Sequence, residues 1–170
     1  MIYLLGHMTC RQTYLLLLFL DLGGALVCRA PSTEPVLMAY FQLKAALVAS
    51  DGGRAKARAA TLLNVLDQLD RRRLSATDQQ RLLAIDTAAF SICKSSNVTG
   101  QRRFFGDLSL AMIALVRSTR PATVYVQFSS SAFPHGAYWL SGTKQIENPY
   151  AEHRQRRQGR VINVIKGVVN

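Results

Sequence analysis

Apolar residues recur at spacings of three and four through the first two-thirds of the chain beyond residue 35. Val36, Leu37, Tyr40, Leu43 and Leu47 mark one face of a first helix, with Gln42 and Lys44 off that face. Asp51-Gly52-Gly53 is expected to stop it, the glycines allowing a positive φ. A second helix follows from about Arg54, its inner face Ala55, Ala59, Leu62, Leu66 and Leu69, where alanine favours helix and permits close approach. Thr77-Asp78-Gln79-Gln80 reads as a capping box opening a third helix, whose apolar side is Leu82, Leu83, Ile85, Phe90 and Cys93. Ser95 to Gly100 reads as a loop. A fourth helix from about Gln101 to Arg117 carries Phe105, Leu108, Met112 and Leu115 at core spacing, Met112 as packing rather than as a ligand.

After Pro121 the period changes. Thr123 to Phe128 is β-branched and aromatic, as strands are. Phe133-Pro134-His135-Gly136 marks a turn, Ala137 to Leu140 a returning strand, Asn148-Pro149-Tyr150 another turn, and Val161 to Ile165 a last strand. The expected fold is mainly α: an up-and-down four-helix bundle followed by a small β-containing lobe at about 123–165. Residues 36–166 form one domain behind a linker at 31–35.

The N-terminal residues change the expected location. Arg11, the apolar run Tyr14 to Leu20 and the small residues beyond follow the order of a secretory signal peptide over residues 1–30. The run is too short for a comfortable membrane span of about 20 apolar residues. The expected location is therefore periplasmic or secreted, without a transmembrane span in the mature form; a lipid anchor on Cys28 is the alternative. Cleavage would leave Cys93 as the sole thiol, at a core position and without metal-ligand spacing. The 170-residue chain carries a net charge of +11, which favours anionic partners. No groove-reading helix or interleaved aromatic pattern points to nucleic acid, and Arg71-Arg72-Arg73 reads as a helix end, where cations meet exposed carbonyls.

The most informative stretch runs from Tyr125 to Val161. Ala137-Tyr138-Trp139-Leu140-Ser141, Ile146, Asn148-Pro149-Tyr150, Gly159 and Val161 follow in order there. Gln101-Arg102 with Phe105 and Leu108-Ser109, and Tyr40 with Leu43-Lys44-Ala45-Ala46-Leu47 and Asp51, precede them. Together these segments, from about Tyr40 to Ile165, resemble a family of periplasmic bacterial domains of unknown function, found alone or attached to heavy-metal efflux adaptor proteins of the copper/silver type. The resemblance implies a soft-metal site, because thiolate and thioether donors select copper(I). This chain departs from the pattern at the ligands. Ser129-Ser130-Ser131 stands where the family has Cys-Pro-Met, Gln155 and Gln158 align with a methionine and a cysteine, and Phe104 replaces a histidine.

Three functional readings follow. The first is an exported, non-catalytic accessory domain whose soft-metal ligands are replaced and which needs no cofactor. Its basic run Arg154, Arg156, Arg157 and Arg160 would meet an acidic envelope protein or efflux component. The second is a metal-binding protein holding zinc or a copper ion through His135, His153 and Glu152. The third is a hydrolase centred on the serine run beside His135, a sequence that lacks the strand-to-helix nucleophile elbow. The first is preferred, and with it a protein that is not an enzyme. Trp139 is expected in the core of the lobe, and Asn148-Pro149-Tyr150 is expected to serve geometry.

Overall fold

The computed structural model describes residues 32–168. Residues 1–30, where the sequence predicts a signal peptide, lie outside the described residues with Cys10 and Cys28. Four helices come first: α1 (Glu34–Val48), α2 (Gly52–Asp67), α3 (Ala76–Lys94) and α4 (Val98–Thr119). Sequential helices pack on one another and α4 returns to α1. A three-stranded antiparallel sheet follows, β1 (Val124–Ser129), β2 (Ala137–Ser141) and β3 (Arg160–Ile165), in the order β2-β1-β3 with β2 against α4. The mainly α architecture with a C-terminal β lobe is as the periodicity predicts. No helix among the described residues is long and apolar enough to cross a membrane.

The helix boundaries show where local chemistry overrides the sequence pattern. The predicted linker is shorter than 31–35: α1 begins at Glu34 with Pro35 in its first turn, where the missing N–H costs nothing. Thr33 is buried and its hydroxyl meets that of Thr119 at 2.8 Å, so these residues belong to the fold. At the other end of α1, Ser50 takes the left-handed conformation (φ 56°) that was assigned to the glycines. Ser50 N–H donates to the Leu47 carbonyl and Asp51 N–H to that of Ala46, which closes the helix. Gly52 and Gly53 instead start α2, capped by the Asp51 carboxylate on the Arg54 N–H. A Cβ on Gly52 would sit 3.0 Å from Val98 Cγ2, so this glycine permits close approach to α4.

The cap of α3 is Ser75 rather than Thr77. Its hydroxyl accepts from Asp78 N–H and donates to the Asp78 carboxylate, which also receives Arg81 and the Ser118 hydroxyl of α4. Burial would raise the Asp78 carboxyl pKa, but these donors outweigh it and hold the group below its ordinary range. Leu83 and Phe90 face outward, one position off the buried row Leu82, Ile85, Ala89 and Ile92. Cys93 is half-buried beside the Lys56 carbonyl, and burial pushes its thiol up despite Lys56 and Lys94 nearby. Asn97 caps α4, so the loop before it ends earlier than expected. Arg71 donates to the Leu66 carbonyl near the end of α2, as a helix-end reading requires.

One core joins helices and sheet. Phe105, Leu108, Met112 and Leu115 lie fully buried with Tyr40, Trp139, Val126 and Leu140. Adjacent residues Val126 and Gln127 are both buried, so β1 is covered on both faces. The Gln127 amide donates to the Thr143 and Gln145 carbonyls and accepts from the Trp139 indole at 2.6 Å, sealing one face with the segment after β2. The Tyr40 hydroxyl accepts from Leu140 N–H at 3.0 Å and meets the Ser109 hydroxyl at 2.9 Å. It thereby binds α1, α4 and β2 together, and burial raises its pKa strongly. Tyr40→Phe keeps the ring and leaves the Leu140 N–H without an acceptor. The expected loss is about 2 kcal/mol of unfolding free energy, read by urea denaturation.

Candidate functional site

The Asn148-Pro149-Tyr150 turn is built from inside. Asn148 is fully buried; its side-chain oxygen accepts from Tyr150 N–H, and its amide donates to the Gln158 carbonyl. Its own N–H donates to the Arg156 carbonyl at 2.7 Å. Tyr150 donates its hydroxyl to the Tyr138 carbonyl at 2.7 Å and packs near Phe105, Phe133 and Trp139. Burial is the main cause of its raised pKa.

Arg102 explains why Gln101-Arg102 on a helix and Asn148-Pro149-Tyr150 in a distant loop occur together. Its guanidinium, 9% exposed, donates to the Pro149 carbonyl at 2.9 Å, the Ala151 carbonyl and the Ser50 hydroxyl at 2.8 Å each, and the Leu47 carbonyl at 3.3 Å. Burial lowers its pKa, and the charge of Glu152 partly opposes that. Sequence reasoning missed this role, and that of Gln127. Both are polar residues on apolar elements, a pattern that reads as outward-facing until a second segment covers them.

The positions marked by the resemblance lie in three places. Ser129, Ser131 and Gln158 converge at one end of the sheet. The Ser129 and Ser131 hydroxyls are 3.0 Å apart, and Ser131 donates to Gln158 Oε1 at 3.3 Å. With Ser130, Arg160 and the Phe128 ring they line a polar cavity of about 320 Å³. Gly159 makes this meeting possible: at φ 146°, a Cβ there would lie 2.9 Å from the Trp139 ring and 3.0 Å from the Phe128 carbonyl. Gln155 belongs to a short 3-10 turn, His153–Gln155, and its N–H donates to the Glu152 carbonyl. Phe104 is not part of this cavity. It lines a groove between α3 and α4 with Leu83, Thr87 and Asp107, because its position on α4 points toward α3.

Of the other candidates, the His153 side chain lies outside the described residues. His135 is exposed and lines an apolar groove of about 590 Å³ with Arg103, Asp107, Leu110 and Phe133. Glu152 acts on Arg102 instead. Among the described residues no group of three or more His, Cys, Asp or Glu side chains is placed to hold a metal ion. Arg154, Arg157 and Arg160 are exposed and Arg156 is half-buried; none of the four makes an ion pair with a described acidic residue. The Arg160 guanidinium lies 5.7 Å from the centroid of the Phe128 ring.

Arg102→Met removes the donors and leaves two loop carbonyls and the end of α1 unsatisfied. An unfolding loss of about 3 kcal/mol is expected, with Arg102→Lys intermediate because an ammonium lacks the fork that spans these acceptors. Urea denaturation monitored by the Trp139 fluorescence measures both.

No curated protein and no solved structure matches the chain. Residues 36–123 match one family, over just over half of the chain. The matched stretch contains the four helices and the position of Arg102, and stops before β1. The chain belongs to the family described as "Protein of unknown function (DUF3347)".

Proposed function

We propose that the protein is an exported, non-catalytic accessory domain, related to heavy-metal-efflux-associated periplasmic domains, in which a soft-metal site has become a polar recognition site. The observation that carries this reading is the convergence of Ser129, Ser131 and Gln158, with Ser131 3.0 Å from the Ser129 hydroxyl and 3.3 Å from Gln158 Oε1. These are positions where the resemblance expects sulfur. Ser131 and Gln158, 27 residues apart in sequence, meet there, which supports reading these positions as one site. Its donor set is hydroxyl and amide, hard and neutral, and a poor host for copper(I). Arg160 at the cavity, with Arg154, Arg156 and Arg157 close by in sequence, supplies positive charge suited to an acidic envelope partner.

The test is copper(I) titration against a chromophoric chelator, in a full chain with Cys10, Cys28 and Cys93 changed to serine. The parent is expected to form no one-to-one copper(I) complex. Adding Ser129→Cys, Ser131→Met and Gln158→Cys is expected to create one. Stoichiometric copper(I) capture by the parent contradicts the replaced-ligand reading.

A further inference from the structure

The direction of the hydrogen bonds in the cavity says what it accepts. Ser131 spends its proton on Gln158 Oε1, so Ser129 must donate to Ser131. With Gln158 Oε1 accepting from Ser131, the Gln158 NH2 group is turned away from the relay. No hydrogen bond to a described residue uses either of its protons. Arg160 lines the same cavity with its guanidinium beside the Phe128 ring and no acidic partner among the described residues. Ser130 also lines the cavity, and no acidic residue does. The free groups are donors and the fixed charge is positive. The cavity volume of about 320 Å³ is many times the roughly 30 Å³ share of one water.

We infer that this cavity is an oxyanion site of the phosphate class, in which Gln158 Nε2, the Ser130 hydroxyl and the Arg160 guanidinium hold the anion. The inference rests on the proposed function only in treating Ser129, Ser131 and Gln158 as recognition groups rather than metal ligands. It deepens that reading by naming the chemistry recognised. The backbone on either side is held independently of the side chains that bind. Asn148 clasps the Gln158 carbonyl, and Gly159 packs on Trp139. The Gln158 and Arg160 side chains are exposed and can be changed without opening the core.

Inorganic phosphate titrated into isotopically labelled full-length protein, followed by NMR, tests the assignment. Saturable shifts are expected at the Gln158 side-chain NH2 and at the Ser130 and Ser131 amides, with sulfate competing. Arg160→Ala is expected to weaken phosphate binding about tenfold or more. Gln158→Glu, which replaces a donor by a negative acceptor, is expected to abolish it, while both variants keep the parent melting temperature. Sedimentation with phosphatidylcholine vesicles, with and without phosphatidylglycerol, separates the sources of the anion. Retention on phosphatidylglycerol that free phosphate reverses assigns a lipid headgroup. Saturable phosphate binding without retention assigns the free ion, and both outcomes support the site. No saturation below about 10 mM phosphate overturns it, as do shifts unaffected by Gln158→Glu, which mark diffuse attraction to the arginines. Failure here leaves the copper(I) result untouched, and copper(I) capture by the parent leaves phosphate binding to be read on its own.

Discussion

A guanidinium removed from water has to find acceptors, and Arg102 finds four on segments separated by about half the chain. Leu47 and Ser50 belong to the end of α1; Pro149 and Ala151 belong to the loop beyond β2. The charge is costly to bury unless all of these arrive together, since each missing partner leaves desolvation uncompensated. This requirement couples the helical half to the β lobe more tightly than a shared apolar face would. Tyr40 and Ser109 repeat the coupling about two turns away, where one hydroxyl serves the backbone of β2 and a side chain of α4. The strained φ of Ser50 belongs to the same arrangement: its hydroxyl is an Arg102 acceptor, which rewards a conformation a serine would otherwise avoid.

The polar cavity inherits its shape from this joint. Arg102 holds the Pro149 and Ala151 carbonyls, Asn148 in the loop after β2 holds the Gln158 carbonyl, and Gly159 lets the chain pass close over Trp139. Gln158 and Arg160 thus reach the end of β1 on a supported backbone. The side chains at the rim could change from sulfur to oxygen without disturbing that support, because the backbone is held from behind. A retained scaffold beneath altered ligands is what the proposed function requires.

Much of the fold was legible because its periods are local. The 3.6-residue spacing of Leu43, Leu47, Leu62, Leu66, Phe105, Leu108 and Met112 follows from burial of one helix face, and the β-branched run at Val124 from a strand covered on both faces. The errors are equally physical. Gly52 reads as a stop because glycine tolerates positive φ, yet its missing side chain serves packing against Val98. Thr77 and Ser75 both fit a capping pattern, and only the bond to Asp78 N–H separates them. Leu83 and Phe90 are apolar but sit on the wrong side of α3. The cavity was half legible: Ser129, Ser131 and Gln158 stood out by resemblance, while Arg160 was read only as part of a charged run. Gln127 and Arg102 were beyond the pattern, since their burial depends on segments 16 to 55 residues away.

If this polar joint makes one cooperative unit of the two halves, their backbones should open together. Native-state hydrogen exchange measures that directly, amide by amide. The account predicts that Leu140 N–H and the amides of Leu108 and Met112 in α4 exchange only through global unfolding, with the same free energy and the same urea dependence. Exchange of Leu140 and the β1–β2 amides at a much lower free energy, with the helices still protected, would contradict it and make the lobe an independent appendage.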